Sequence, residues 1–175
     1  AEDKTGTYEF TGWNTKEDGT GIQYDYNMRV KVGMTFYAQF KRTPAKYTVT
    51  WDANGGDALV ITDTTTNGQT DYGTVIVPPA DPTKASTAAE NYTFNGWNTK
   101  PDGTGTAWTE GATVTDNVTY YAQWKAENRV YSITYYSEGG EHSNPNTYTY
   151  GTAVTLQDAK RTGYTFDGWY MAGET

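Results

Sequence analysis

An internal repeat is the feature that most constrains the fold of this 175-residue chain. The sequence FTGWN at 10–14 returns as FNGWN at 94–98, an offset of 94 − 10 = 84, and as FDGWY at 166–170, a further offset of 166 − 94 = 72. At the offset of 84, residues 10–42 align without a gap with 94–126, and 16 of the 33 positions are identical. We therefore expect successive units of similar fold.

The repeat divides the chain into one complete unit between two partial ones. The complete repeat covers 47–125, the rear half of a repeat covers 1–42, and the front half of a repeat covers 131–175. The segments 43–46 and 126–130 lie at equivalent places between these units. We expect both segments to be short linkers.

Composition and alternation predict that each unit is mostly β-sheet. The chain contains 16 Tyr and 33 Thr, which pack well on a pleated surface. In YTVTW at 47–51 the large side chains alternate with Thr, so that Tyr47, Val49 and Trp51 share one face of a strand. Three further strands are predicted in the complete repeat, near 70–77, 92–97 and 118–124.

Two segments carry other local signals. DANGG at 52–56 supplies residues that tolerate a positive φ, which predicts a turn after the first strand. Asp81 and Pro82, followed by helix-favouring residues up to Glu90, predict one short helix, because an acidic N-cap and a Pro at the first helical position favour a helix start. The predicted class is mainly β with a minor α part: tandem small β-grasp-like units of about four strands and at most one short helix.

Large aromatic residues must supply much of the core, because only 35% of the residues are hydrophobic while the chain has 6 Trp, 16 Tyr and 5 Phe. Each such side chain can bury about 150–250 Å². The predicted core aromatics are Phe10, Trp13, Tyr37, Trp51, Phe94, Trp97, Tyr121, Trp124, Tyr135, Phe166 and Trp169. Tyr24 and Trp108 follow the turn and differ between units, so we interpret them as candidates for contacting a ligand.

Charge and composition argue against several classes of function. The net charge is −8 and the 13 basic residues are scattered, whereas a nucleic-acid surface needs clustered Lys and Arg. The absence of Cys excludes disulfides and thiolate metal sites. No apolar run approaches the ~20 residues of a membrane span, and the N-terminus lacks the layout of a signal peptide, so we expect no membrane insertion of this segment.

No group of residues has the pattern of an active site, so we predict a chain that is not an enzyme and that binds no cofactor or metal. His142 lies in a polar turn and is interpreted as a solvated residue and not as a general base. The DGTG sequences at 18–21 and 102–105 each supply one certain carboxylate, too few for calcium, and are interpreted as β-turns. No specific isopeptide partner is identifiable for the lysines near element ends, Lys46, Lys84 and Lys125.

The sequences YTVTWDANGG, YTFNGWNTKPDGTG and VTYYAQW occur in this order within the complete repeat. This order and spacing resemble the Listeria–Bacteroides repeat, also described as the B-repeat of internalin-type proteins, over almost the whole chain. The resemblance implies an extracellular, wall-attached bacterial surface protein in which such modules form a string between a functional head and the anchor, without catalysis. The chain departs from the family at Trp51, where Phe is more usual, and in its long loop at 57–69, a candidate for a binding function of its own.

Two functions stay open on the sequence. The first is a structural and adhesive spacer of a Gram-positive surface protein, with loops or neighbouring domains that bind an extracellular protein or glycan partner. The second is a carbohydrate-binding module of a secreted enzyme, suggested by the aromatic content and acidic charge. The partial units at 1–42 and 131–175 add the expectation that two chains associate end to end by complementing each other.

Overall fold

The computed structural model describes residues 2–29, 33–61 and 68–171, and every regular element within these residues is a strand. The strands are β1 (Glu2–Asp3), β2 (Gly6–Asn14), β3 (Tyr37–Pro44), β4 (Lys46–Asp52), β5 (Gly68–Asp71), β6 (Glu90–Asn98), β7 (Val118–Asn128), β8 (Val130–Ser132) and β9 (Thr147–Thr149). The chain forms two compact units, one of Ala1–Thr83 with Phe94–Gln123 and one of Lys84–Thr93 with Trp124–Thr175. Residues 62–67 of the predicted binding loop lie outside the described residues.

The first sheet has the order β1-β2-β3 and is antiparallel throughout. Phe10 pairs with Phe40, and a β-bulge lies between Phe10 and Gly12. Bulges of this kind bend a strand and increase its twist. Strands β2 and β3 thus form a hairpin, to which β1 adds one short strand.

The second sheet has the order β5-β4-β7-β6. β4 pairs with β5 in antiparallel fashion and with β7 in parallel fashion, with Trp51 opposite Tyr120. The first and last strands of the complete repeat therefore lie side by side at the centre of the sheet. The mainly β prediction is confirmed, whereas the likeness to a β-grasp stays a prediction because the described residues include no helix on this sheet.

The third sheet consists of β8 and β9, which pair in antiparallel fashion with Tyr131 opposite Tyr148. The two rings stack at 5.7 Å between their centroids. Cross-strand aromatic pairs of this kind stabilise a two-stranded ribbon, which is marginal without them. This hairpin repeats the β4–β5 hairpin of the complete repeat.

The core of the complete repeat is centred on Trp51, which is 5% exposed. Its ring meets Trp97 edge to face at 4.8 Å and stacks on Tyr120 at 4.9 Å. The buried hydrophobic residues are Val49, Trp51, Ile76, Trp97, Val114, Tyr120 and Ala122. Each fully buried aromatic ring contributes roughly 4–6 kcal/mol of gross stabilisation at ~25 cal/mol per Å², so a few rings sustain this small core.

The predicted core aromatics differ widely in burial. Trp51 and Trp97 are buried, and the residue of β7 that joins them is Tyr120, while Tyr121 is only half-buried. The alternation of a strand explains this difference, because Tyr120 and Ala122 share the inner face and Tyr121 points the other way. Five other members are half-buried: Phe94, Trp124, Tyr135, Phe166 and Trp169.

The three predicted core aromatics of the rear half are exposed. Phe10 is 49% exposed, Trp13 45% and Tyr37 39%. Among the described residues from 2 to 44, only Gly6 and Asn14 are buried. The rear half is therefore a sheet with an open aromatic face.

The short helix predicted after Asp81 is absent, and this prediction was wrong. Residues 81–87 have no regular secondary structure. The N–H of Asp57 donates to the carbonyl of Thr83 at 2.7 Å, and the Thr83 hydroxyl donates to the Asp57 carboxylate. The first of these non-local bonds uses the Thr83 carbonyl, which a helix would need for its own ladder, so tertiary contact overrides a weak local preference.

The predicted linkers consist mainly of strand residues. Ala45 alone separates β3 from β4, and Arg129 alone separates β7 from β8. The predicted second strand ends earlier than expected, since β5 stops at Asp71 and Val75 forms only an isolated bridge with Thr113. Successive hairpins therefore follow each other with a single intervening residue.

Candidate functional site

The turn after β6 is organised by Asn98, which is 7% exposed. Its Nδ2 donates to the carbonyls of Gly103 and Gly105 at 3.1 and 3.4 Å, and its Oδ1 accepts from the N–H of Lys100 at 3.0 Å. A buried amide that makes three bonds fixes the path of the loop around it. Asn98 thus holds the turn after β6 in its conformation.

The turn after β2 reproduces this arrangement. Asn14 is 5% exposed, and its Nδ2 donates to the carbonyls of Gly19 and Gly21 at 3.0 and 3.4 Å. Its Oδ1 accepts from the N–H of Lys16 at 2.9 Å. Corresponding distances in the two turns are nearly equal, so the two sequences, which differ only at Glu17 and Pro101, produce the same structure in both repeats.

The carboxylates of the DGTG sequences are engaged within their own turns. Oδ1 of Asp102 accepts from the backbone N–H of Thr104 at 3.0 Å and from its hydroxyl at 2.8 Å. Both bonds lower the pKa of Asp102, and the backbone bond has the larger effect. The equivalent two bonds from Thr20 lower the pKa of Asp18 in the same order. This geometry is that of an Asx-turn.

Gln123 ties the turn to the last strand. Its Nε2 donates to the carbonyls of Lys100 and Tyr121, both at 3.1 Å. Gln39 makes the equivalent bonds to Lys16 and Tyr37 at 3.3 Å. Sequence reasoning singled out the aromatics and missed the roles of Asn98 and Gln123, although the identity of both residues at the offset of 84 was the available signal.

The two candidate ligand-contact aromatics have different surroundings. Tyr24 is 44% exposed and meets Phe36 edge to face at 5.7 Å. Trp108 is half-buried, and its indole N–H is buried without an acceptor within the part of the chain that the structure describes. Tyr24 therefore presents an open ring edge, whereas Trp108 is largely part of the packed turn.

His142 is exposed but its ring packs against aromatic neighbours. Its centroid lies 4.6 Å from that of Tyr135 and 5.4 Å from that of Trp169. The indole N–H of Trp169 donates to the carbonyl of Gln157 at 2.9 Å. The prediction of a solvated turn residue is thus incomplete, because the imidazole belongs to an aromatic cluster.

A cleft of about 560 Å³ opens beside this cluster. Its apolar lining includes Ile133, Leu156 and Phe166, together with Tyr135 and Trp169. Two of its charged groups are engaged: the Arg161 guanidinium lies 3.9 Å from the ring centre of Tyr164, and the Tyr170 hydroxyl donates to Asp167 at 3.2 Å. The cleft can accept an apolar or planar group.

Each of the three lysines considered for an isopeptide bond has a non-covalent partner. Lys46 pairs with Asp71 at 2.7 Å and Lys125 with Glu127 at 2.8 Å, all four side chains being substantially exposed. Lys84 lies over the Tyr92 ring, with Nζ 4.5 Å from its centre. Exposed pairs of this kind contribute little to stability.

The described residues contain no helix whose length and apolar content suit a membrane crossing. Comparison with known proteins finds relatives of greater length. The chain is 36% identical over 94% of its length to a protein of Evansella cellulosilytica named as a Gly-rich membrane protein, and 31% identical over 79% to a second protein of that organism named as a membrane protein. It is 33% identical over 67% of its length to Internalin H of Listeria monocytogenes.

The chain spans 19% of the length of each of these three relatives. No solved structure matches it significantly. The model of the Listeria–Bacteroides repeat domain matches residues 3–39, 47–123 and 131–175, in agreement with the repeat visible in the sequence. The chain belongs to the Listeria–Bacteroides repeat family.

Proposed function

We propose that this chain is a non-catalytic structural and adhesive module of an extracellular, wall-attached bacterial surface protein, which acts as a stalk that presents loops or neighbouring domains to a host or matrix partner. One observation carries the proposal. The polar side chains that recur between repeats, such as Asn98, Asp102 and Gln123, bond to the backbone of their own turn. Their hydrogen-bonding groups are used within the module itself, which is what a spacer requires.

The relatives support the location and the modular role. Two of them are named as membrane proteins and one as an internalin, and each is about five times as long as the matched segment. A module that makes up a fifth of a long protein suits a place between other domains.

We expect an antibody against the chain to label intact cells and to lose its target when the cells are treated briefly with protease. Labelling that requires cell lysis contradicts the surface location.

A replacement experiment tests the spacer role. The segment that corresponds to this chain is exchanged, in the full-length protein, for an unrelated folded spacer of similar length. Adhesion of the bacterium to host cells or matrix is expected to persist, while deletion of the segment without replacement reduces it. Loss of adhesion in the replacement variant, with unchanged surface display, instead assigns the binding function to the repeats themselves.

The open ring of Tyr24 and the aromatic cleft beside Trp169 favour a second candidate, a carbohydrate-binding module. Flat aromatic rings stack on sugar faces, and a cleft of this size admits one or two sugar rings. The test is a glycan array with the purified chain, in which Tyr24→Ala and Trp108→Ala are compared with Tyr26→Ala. Binding lost only in the first two variants supports the carbohydrate-binding module, and absence of binding to any glycan counts against it.

End-to-end association of two chains remains a proposal. The open aromatic face of the rear half, where Phe40 is 59% exposed, supports it. Light scattering is expected to give a mass that rises with concentration, and Phe40→Ser is expected to suppress the rise. A constant monomer mass for the unsubstituted chain rejects the proposal.

A further inference from the structure

The boundary between the rear half and the complete repeat is held by main-chain hydrogen bonds on both sides of Ala45. Its N–H donates to the carbonyl of Thr5 at 3.1 Å, and its carbonyl accepts from the N–H of Tyr72 at 2.7 Å. The Tyr47 hydroxyl crosses the same boundary and donates to the carbonyl of Lys4 at 2.9 Å. The single intervening residue is thus bonded to the preceding and to the following hairpin.

The boundary around Arg129 repeats this set of bonds. The Arg129 N–H donates to the carbonyl of Ala89 at 2.8 Å, and its carbonyl accepts from the N–H of Tyr150 at 2.9 Å. The Tyr131 hydroxyl donates to the carbonyl of Ala88 at 2.8 Å. The offset of the repeat relates four pairs of equivalent positions, namely Ala45 and Arg129, Tyr47 and Tyr131, Thr5 and Ala89, and Lys4 and Ala88.

The accepting carbonyls are presented by a capped turn at both boundaries. Oδ1 of Asp3 accepts from the N–H groups of Thr5 and Gly6 at 2.7 and 3.1 Å. At the equivalent place, Oγ1 of Thr87 accepts from the N–H groups of Ala89 and Glu90 at 3.2 and 3.0 Å. Asx- and ST-turns are known to fix short loops in this way. The geometry survives although the side chains at most of these positions differ.

The rear half has little buried surface of its own to stabilise it. Among the described residues from 2 to 44, Gly6 and Asn14 alone are buried, and Gly6 lies at the boundary itself. A Cβ atom added at Gly6, where φ is +149°, would clash with the carbonyl oxygen of Thr43. A two- or three-stranded ribbon without a covered apolar face is marginal in water. Its order therefore depends on the neighbouring hairpin.

We infer that the boundary between repeats is a structural interface and not a flexible linker: the closing hairpin of one repeat docks on the opening hairpin of the next through the bonds of the intervening residue and of the following tyrosine hydroxyl. The hairpin that is marginal by itself then opens less readily than it would without its neighbour. The partner of each repeat is the next repeat of the same chain. The inference deepens the proposed spacer role, on which it rests, because repeats that are hydrogen-bonded to their neighbours resist local unfolding better than repeats joined by flexible linkers.

Substitution of the intervening residue in the full 175-residue chain tests the inference. Ala45→Pro removes the N–H that donates to Thr5, whereas Ala45→Arg introduces the residue that stands at the equivalent position 129 and is the matched control. Amide hydrogen exchange is expected to become at least about fivefold faster in β2 and β3 with Ala45→Pro, the factor that one hydrogen bond corresponds to. The exchange rates of β4 and β7 in this variant should stay close to those of the unsubstituted chain. The Ala45→Arg variant should keep the rates of the unsubstituted chain in all of these strands. Unchanged exchange of β2 and β3 in a folded Ala45→Pro variant overturns the inference.

A second pair of variants decides the question if Ala45→Pro fails to fold. Tyr47→Phe removes only the hydroxyl that donates to the carbonyl of Lys4. Tyr72→Phe, which alters the neighbouring ring whose centroid lies 6.4 Å away, is the matched control. Loss of one hydrogen bond predicts exchange in β2 and β3 roughly 2- to 13-fold faster with Tyr47→Phe. Equal rates in both variants overturn the inference.

The second boundary offers an independent repetition. At this boundary the two-stranded β8–β9 hairpin is the partner that is marginal by itself, so Tyr131→Phe is expected to accelerate exchange of its amides, while Tyr150→Phe is not. Interface behaviour at one boundary only would show that the coupling is not a property of the repeat, and would overturn the inference in its general form. None of these rates depends on where the protein resides or what it binds, so failure here is distinguishable from failure of the proposed function.

Discussion

At the scale of single residues, the repeat is defined by a few side chains that each serve several neighbours. Asn98 satisfies two carbonyls and one N–H, and Trp51 contacts both Trp97 and Tyr120. Buried polar groups are costly when they lose their partners, so positions of this kind tolerate little change. The same bonds at Asn14 show that the rear half and the complete repeat share this turn, whereas Tyr170 stands at the equivalent position of the third copy.

Asn98→Ala is expected to destabilise the chain by about 1–3 kcal/mol, because two carbonyls and one N–H lose their partner inside the turn. The measurement is the free energy of unfolding in urea. Asn95→Ala, at an exposed position of the same strand, is the control and should change this free energy by less than ~0.5 kcal/mol. Equal effects of the two substitutions would contradict the role assigned to Asn98.

Gly105→Ala tests the close approach within the same turn. An added Cβ would clash with Oγ1 of Thr99 and lie 2.7 Å from Oδ1 of Asn98, so the side-chain amide of Asn98 must move. We expect a loss of stability of about 1–3 kcal/mol, as for other overpacked sites. Gly33→Ala is the control, because the described part of the chain places no atom within 4 Å of its added Cβ. A thermal midpoint that falls equally in both variants would refute the steric argument.

At the scale of elements, the parallel pairing of β4 with β7 joins the two ends of the repeat. Val49 lies opposite Val118, although most of the complete repeat separates the two residues along the chain. Closing so long a loop is entropically costly, and packing on the inner face of the two strands offsets this cost. Ala122, which is 0% exposed, leaves the space that the aromatic rings require.

Ala122→Leu is expected to destabilise the repeat by about 1–3 kcal/mol, because added methylene groups in a packed core force side chains from their preferred rotamers. Ala126→Leu on the exposed end of the same strand is the matched control and should have a small effect. Urea denaturation followed by tryptophan fluorescence measures both, since Trp51 and Trp97 report on this core. A larger effect at Ala126 than at Ala122 would show that the inner face is misassigned.

At the scale of the whole molecule, the net charge of −8 and the turn carboxylates determine how stability responds to acid. Hydrogen bonds from Thr104 and Thr20 lower the pKa of Asp102 and Asp18, and the bond from the Lys4 ammonium lowers the pKa of Asp116. Each of these groups binds protons more weakly in the folded chain than in the unfolded one. Their contribution is complete above the unfolded pKa and is lost as pH falls through the folded pKa.

We therefore expect the urea midpoint to be steady near neutral pH and to fall as pH decreases below about 4, the ordinary range of Asp. The double variant Asp18→Asn and Asp102→Asn keeps an accepting oxygen but cannot titrate. It should show a shallower fall over this range than the unsubstituted chain. An identical pH profile for both proteins would contradict the role of the turn carboxylates.

The particular elements show which levels of structure the amino-acid order determines. The alternation in YTVTW located β4, and DANGG located a turn in which Asn54 and Gly55 adopt positive φ. These features depend on side chains and backbone preferences within a few residues of each other. The repeat, the position of β4 and the family were therefore accessible from the sequence.

The remaining features depend on residues that are distant in the chain. The bonds between Asp57 and Thr83 replaced the expected helix, and the register with β4 selected Tyr120 instead of Tyr121 for the core. Likewise, only the fold showed that Ala45 is hydrogen-bonded on both sides. Local propensities amount to a few tenths of a kcal/mol per residue, and burial and non-local hydrogen bonds outweigh them, which is why the tertiary structure alone decided these points.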